Sequence, residues 1–201
     1  MELTAYGKAI FSFQARCGVK MAVYVSLLRG INVGGQKKIK TEELLALYDS
    51  LGLKNVRTYV QSGNVIFDSN TDDPETVKAK VEAKLRDALG YDVAAFVYTV
   101  PQLKKIIEFE PFKGQEKEGT SFLVTFLASA PAKFPLQLPL TIPKSTAQII
   151  SSKGTAVFSV THGGGEGGMP NPYLESKLKV KATTRNLNTI GEIVEKYSKK
   201  Y

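Results

Sequence analysis

A strand-forming run that ends in a glycine loop, residues 21–35, constrains the fold of this chain more than any other segment. Residues 22–29 are apolar enough for a buried strand, and Gly30, Gly34 and Gly35 follow them. A lysine-rich stretch and a helical pattern come next. We therefore expect the folded protein to begin with this strand, a glycine loop and a helix.

The first 20 residues do not continue this pattern. Glu2 stands where a signal peptide carries basic residues, and the apolar run from Ala9 to Phe13 is too short for one. We expect residues 1–20 to be an upstream extension, and a native helix packed on the domain is the alternative. No apolar run approaches the roughly 20 residues of a membrane span, so we expect a cytoplasmic protein without a membrane partner.

The pattern over residues 21–100 predicts the order strand, helix, strand, strand, helix, strand. Thr41 is the predicted cap of the first helix, and Asp73–Pro74 is the predicted start of the second. Leu44 and Val81 fall on the apolar stripes of these helices and are predicted core residues. The order β-α-β-β-α-β is that of a ferredoxin-like unit.

The rest of the chain predicts a second, less regular unit of the same kind. Residues 101–120 are expected to form a connecting helix and a charged linker, and residues 121–201 a second ferredoxin-like half. A proline-rich segment replaces its first helix. Thr189 and Glu192 predict a capping box at the last helix. The predicted fold class is α+β with two such halves, and the duplication is inferred from element order alone.

The chain has one cysteine, Cys17, and one histidine, His162. Sites built from several cysteines or several imidazoles are therefore excluded, and we predict no metal and no cofactor. The net charge of +8 belongs mainly to the second half: residues 21–100 carry ten basic and ten acidic side chains, whereas residues 101–201 carry 14 and eight. Such charges favour an anionic partner if they share a face, and otherwise serve solubility.

Three stretches of the sequence are specific enough to indicate a family. They are SLLRGINVGG at 26–35, TYVQSGNVIF at 58–67 and ATTRNLNTI at 182–190. They resemble the three signature blocks of the DUF1697 family of bacterial proteins, and the likeness extends over 21–198. The resemblance implies an α+β fold of two ferredoxin-like halves and no established activity or substrate. Leu187 departs from the family, whose members commonly have Trp there, and this removes an aromatic surface for stacking.

Two segments are candidates for binding an anion. The loop from Arg29 to Lys40 leads into a helix, where backbone N–H groups and lysines attract anions, although a plain surface turn is the alternative. Lys177, Lys179 and Lys181 would share one face of an extended segment that leads to Arg185, or would only protect an edge strand. The predicted ligand-binding residues are Arg29, Asn32, Gly34, Gly35, Lys37, Lys181, Arg185, Asn186 and Asn188.

Other motifs are weaker. His162 and Glu166 would be a general base pair only if their glycine-rich loop were ordered around a substrate. Residues 61–64 would read a polar ligand or simply form a turn. The strand around Tyr24 is similar to the first aromatic motif of an RNA-recognition fold, but the neighbouring strand offers only Phe67.

We therefore expect a protein that binds an anionic ligand, either a phosphate-containing metabolite or a nucleic acid, without catalysis. One alternative is an enzyme acting on a phosphorylated or carboxylated small molecule, with Arg29 and Arg185 as clamps. Another is a protein-interaction module that uses exposed sheet edges. We expect Arg29 and Arg185 to serve one shared anion site, because each ends a strand just before a loop or helix.

Overall fold

The computed structural model describes residues 21–32, 38–60, 63–71, 73–113, 119–162 and 168–198. Its strands are β1 (Ala22–Leu28), β2 (Lys54–Thr58), β3 (Asn64–Ser69), β4 (Ala95–Thr99), β5 (Thr120–Leu127), β6 (Leu140–Thr141), β7 (Ala147–Lys153), β8 (Ala156–His162) and β9 (Ala182–Asn186). Its helices are α1 (Thr41–Asp49), α2 (Pro74–Leu89), α3 (Val100–Ile107), α4 (Pro170–Leu178) and α5 (Leu187–Ser198).

The strands form two antiparallel sheets with the same internal order. The first sheet has the order β2-β3-β1-β4, and the second has the order β6-β7-β8-β5-β9. If the two-residue strand β6 is left aside, each sheet places its first strand between its third and fourth strands. This arrangement confirms the α+β class and agrees with two ferredoxin-like halves.

The two halves also match in strand register. In both, the last residue of the first strand donates a backbone hydrogen bond to the residue just before the third strand: Leu28 N donates to Gly63 O at 2.9 Å, and Leu127 N to Thr155 O at 2.8 Å. The matching cross-strand pairs are Leu27–Asn64 and Leu28–Ala95 in the first half, and Phe126–Ala156 and Leu127–Ala182 in the second. The halves are therefore equivalent residue by residue along these strands, although the sequence shows no repeat.

Local signals explain where α2 begins and ends. The Asp73 side chain accepts hydrogen bonds from the N–H groups of Glu75 and Thr76, and Pro74 occupies the first helical position, as predicted. Gly90 ends the helix in the left-handed region at φ 74°. The predicted cap of α1 is wrong: Thr41 lies inside the helix, and the residue before it, Lys40, makes no side-chain capping bond.

The side chains of β1 enter two different cores, because successive side chains of a strand point to opposite faces of the sheet. Val23, Val25 and Leu27 lie in a core shared by the two sheets, together with buried residues of α3 and α5. Tyr24 and Leu28 lie in a second core beneath α1 and α2. A third core, under α4 and the proline-rich segment, covers the outer face of the second sheet.

Truncation of the two predicted core residues should confirm the buried faces of α1 and α2. Leu44 is 3% exposed and Val81 is fully buried, as the helical stripes predicted. Leu44→Ala and Val81→Ala should each lower the free energy of unfolding by roughly 2–4 kcal/mol, because transfer and cavity costs add. Urea denaturation measures this; a loss below about 0.5 kcal/mol, typical of surface sites, would contradict the assignment.

Candidate functional site

Arg185 reaches from the second half into the first. Its side chain is buried, with 8% of the residue exposed, and it donates Nη2–H to Leu28 O at 2.8 Å and Nε–H to Asn64 Oδ1 at 2.6 Å. Nη1 donates to Thr183 Oγ1 at 2.7 Å and to Thr184 O at 2.8 Å. Burial lowers the pKa of Arg185 to about 10, so the guanidinium remains charged at neutral pH.

The acceptors of Arg185 are themselves fixed by the β2–β3 turn. Asn64 is fully buried, and its Nδ2 donates to Tyr59 O at 3.0 Å. Gly63 has φ 73°, and a side-chain carbon there would approach Leu28 Cβ to 3.2 Å, so only glycine fits without a shift. The three stretches 26–35, 58–67 and 182–190 therefore meet around Arg185, in a region that we call the junction.

Arg29, the first predicted site residue, also joins the two halves. Its Nε and Nη2 donate to the two carboxylate oxygens of Glu175, in α4, at 2.6 and 2.7 Å. Glu175 Oε1 accepts a further bond from Ala182 N at 2.7 Å. Sequence reasoning missed Glu175, although it is the only acidic residue between Glu166 and Glu192.

The electrostatics of this pair favour both charged forms. Burial raises the pKa of Glu175, but hydrogen bonds from Arg29 and from the N–H of Ala182, with the charges of Arg29 and Lys181, outweigh burial and hold that pKa below its usual range. The hydrogen bond to Glu175 raises the pKa of Arg29. The Arg29 side chain is nevertheless 38% exposed, so the pair borders solvent.

The lowered pKa of Glu175 predicts an acid-dependent loss of stability. A carboxylate with a lower pKa in the folded state stabilises the protein above its unfolded pKa, and that contribution is lost as the pH falls through the folded value. The stability difference between wild type and Glu175→Gln should therefore shrink as the pH is lowered from neutral to below 4.5, the ordinary value for this group. Urea titrations at several pH values measure it; a constant difference would contradict the prediction.

The lysines near Arg185 do not form the predicted extended face. Lys177 lies in α4, and Lys179 ends that helix in the left-handed region at φ 56°. The predicted common face of Lys177, Lys179 and Lys181 is therefore wrong, because alternation by two requires an extended backbone over the whole segment. Lys181 is exposed and directly precedes Ala182, whose N–H binds Glu175, so it borders the junction.

The Asn32 side chain is bound to the backbone of Ile39. Its Oδ1 accepts from Ile39 N at 3.0 Å and its Nδ2 donates to Ile39 O at 3.2 Å, with φ 57° at Asn32 itself. Asn32, Thr41 and Thr58 also line a cavity of about 190 Å³ beside Val60. Of the predicted ligand-binding residues, Gly34, Gly35 and Lys37 lie outside the described residues.

The other predicted groups at the start of α5 have local roles. Asn186 Oδ1 accepts from Asn188 N at 2.9 Å, and both residues are exposed. The predicted capping box is wrong, because α5 already begins at Leu187 and Thr189 lies inside it. Glu192 instead accepts a hydrogen bond from Tyr59 OH at 2.6 Å, which adds a contact between the halves.

The residues of the weaker motifs are buried, make a local contact or lie outside the described residues. Tyr24 and Phe67 are fully buried and stack on each other with ring centroids 5.8 Å apart, so neither offers a platform for a base. His162 ends β8, where its Nδ1 lies 3.2 Å from Thr120 Oγ1, and Glu166 is not described. The described ranges contain no group of three His, Cys, Asp or Glu residues that could hold a metal ion.

Comparisons with known proteins agree with the fold. A conserved bacterial protein, SP0830 from Streptococcus pneumoniae, has a solved structure that matches with a TM-score of 0.58 and 23% identity, over 88% of this chain and 98% of that one. At this identity the likeness shows the fold alone. No curated protein matches the sequence, and no helix in the described ranges is long and apolar enough to cross a bilayer.

A family model also matches the sequence. The model described as a protein of unknown function, DUF1697, matches residues 21–158, which begin with the same strand that opens the fold and include two of the three stretches that meet at the junction. The matched range covers more than half of the sequence. The chain therefore belongs to the DUF1697 family.

Proposed function

We propose that the protein binds a small anionic ligand at the junction, without catalysing a reaction. The observation that carries this proposal is the partly exposed side chain of Arg29, held by Glu175. Glu175 accepts from Nε and Nη2 and so fixes the orientation of the guanidinium plane. A guanidinium has five N–H donors, and those beyond the two bound to Glu175 have no acceptor within the described residues. A planar donor held in one orientation suits a carboxylate or phosphate.

The charge balance of the junction supports the same ligand class. Arg29, Lys181 and Arg185 carry positive charges, and Glu175 is the carboxylate that contacts Arg29. The positive excess attracts an anion. The donors of Arg185 bind acceptors within the protein, so Arg185 supports the site without contacting the ligand. Arg29 would therefore contact the ligand directly, and Lys181 would add a nearby charge.

A small ligand is favoured over nucleic acid by the placement of aromatic residues. Single-stranded nucleic acids bind to stacked aromatic side chains along a basic groove. Tyr24 and Phe67, the aromatic residues of β1 and β3, are instead covered by α1 and α2. A ligand contacting Arg29 and Lys181 requires no such platform.

Titration calorimetry with pyrophosphate as the probe tests the proposal. Lys181→Gln should weaken binding about fivefold, the effect of one charge about 4 Å away in water. Arg29→Lys should weaken it further because an ammonium lacks the planar fork. The matched control is Lys80→Gln, an exposed lysine on α2. Absence of binding, or equal loss in the control, would contradict the proposal.

A single-stranded oligonucleotide is the second probe. If it binds and its affinity falls by orders of magnitude between about 50 and about 200 mM salt, several phosphates are contacted and the ligand is a nucleic acid. That result would replace the small-ligand proposal. Turnover of a phosphorylated compound dependent on Arg29 would support the enzyme alternative instead.

A further inference from the structure

The equivalence of the two halves extends to the helices that follow the edge strands. Helix α3 begins directly after β4, and α5 begins directly after β9. Both helices direct their apolar residues into the shared core. At matching positions, counted from the first helical residue, these are Leu103, Ile106 and Ile107 in α3 and Ile190, Ile193 and Val194 in α5.

The helices differ in length, and different aromatic residues follow the common part. Helix α5 continues to Ser198, and its last turn places Tyr197, 8% exposed, against the shared core. The Arg57 guanidinium carbon lies 4.4 Å from the centre of that ring. Helix α3 ends at Ile107, and Phe109 and Phe112 beyond its end lie against Phe158, with ring centroids 5.5 and 6.0 Å away.

The strand position of the second half that matches Arg57 holds a small residue, Ser151. Arg57 pairs with Ile66 across its sheet, and the matching pair in the second half is Ser151–Phe158. The Oγ of Ser151 is buried and has no hydrogen-bond partner. The second half therefore lacks both members of the Arg57–Tyr197 stack.

A cavity of about 390 Å³ lies between the end of α3 and the turn from β7 to β8. Ile106 and Phe109 form its accessible apolar wall, and Phe109 is 37% exposed. Phe158, which also borders the cavity, is fully buried, and its ring centroid lies 5.5 Å from that of Phe109. This volume lies within the range of about 300–1,000 Å³ typical of small-molecule sites.

The rim of the cavity is cationic. Lys105 and Lys153 line it, and neither forms a salt bridge with a described residue. Lys153 Nζ lies 4.6 Å from the centre of the Phe109 ring. Glu108 also lines the cavity, but its carboxylate faces Lys104 at 3.7 Å. A ligand at the rim would therefore meet two ammonium groups whose charges are not paired.

We propose that this cavity binds a small aromatic carboxylate. Its ring packs against Phe109 and Ile106, the accessible apolar residues of the cavity. Its carboxylate lies between Lys105 and Lys153. The site is separate from the junction and does not depend on the function proposed there.

Ligand-observed NMR and calorimetry with 1-naphthoate test this site. Naphthoate should bind, and 1-naphthylmethylammonium, of similar shape and opposite charge, should bind at least about tenfold more weakly because like charges meet at the rim. Phe109→Ala should weaken naphthoate binding about tenfold through loss of ring contact, and Lys153→Gln about fivefold. Lys153 is exposed, so Lys153→Gln should keep the wild-type melting temperature. Phe109→Ala should lower it, because the ring packs on Phe158, so its binding is measured at a temperature where circular dichroism shows it folded.

Lys80→Gln is the matched control and should bind naphthoate like the wild type. Failure of naphthoate to bind at millimolar concentration, equal binding of the cationic analogue, or unchanged affinity in both cavity variants would overturn the proposal. Pyrophosphate and naphthoate should bind without competition. Competition between them, abolished by Lys181→Gln, would assign naphthoate to the junction and overturn the cavity site as well.

Discussion

Replacing Arg185 with Met is expected to lower the free energy of unfolding by about 2–4 kcal/mol, through loss of charge-assisted hydrogen bonds and unsatisfied buried acceptors. The substitution keeps an unbranched side chain but removes the donors to Leu28 O and Asn64 Oδ1 in the other half. Relief from burying a charge works in the opposite direction. The loss of the hydrogen bonds should outweigh this relief, because the guanidinium makes four of them at 2.6–2.8 Å.

Urea denaturation with matched variants separates this contribution from a general loss of positive charge. Arg185→Lys keeps the charge but cannot reproduce the fork, so it should be intermediate. Arg86→Met is the control, because Arg86 is 61% exposed and pairs with Asp92 on the surface. Its loss should be much smaller, because an exposed ion pair contributes little to stability. Equal losses in Arg185→Met and Arg86→Met would show that the junction does not stabilise the fold.

The first half, residues 21–113, is expected not to fold when expressed alone. In the whole protein Val23, Val25, Leu27, Ile66 and Phe96 are at most 4% exposed, because they pack in the core shared with the second half. Leaving such side chains in water costs roughly 1.5–3 kcal/mol each. For five residues this matches the whole stability of a typical domain, about 5–15 kcal/mol.

Circular dichroism and two-dimensional NMR of the fragment measure this outcome. The fragment should show no cooperative unfolding transition and poorly dispersed amide resonances. Co-expression with residues 119–201 is the control, since the two fragments together restore every described partner of the shared core and should assemble. A fragment that unfolds cooperatively by itself would show that each half is an independent domain.

Part of the candidate site was predictable, and part of it required the structure. Arg29 and Arg185 were predicted to meet, and Arg185 does bond the carbonyl of Leu28, the residue before Arg29. Whether the two guanidiniums serve one anion stays a prediction. Their roles differ from those expected. Arg29 pairs with Glu175, whereas Arg185 is buried and its hydrogen bonds link the two halves. The three-lysine face was wrong because Lys177 is helical and Lys179 is left-handed, and the cap at Thr189 was wrong because α5 begins two residues earlier, at Leu187.

Short-range chemistry explains what the sequence alone determined. The alternation of β1, the Asp73–Pro74 start of α2 and the element order of the first half depend on residues within a few positions of one another, and these are visible in a linear pattern. Tertiary structure alone decided the two acceptors of Arg185 in the first half, which lie 121 and 157 residues away, and the packing of Phe109 and Phe112 on Phe158 beyond the end of α3. Both arise from how one half packs on the other, and no local periodicity encodes that packing.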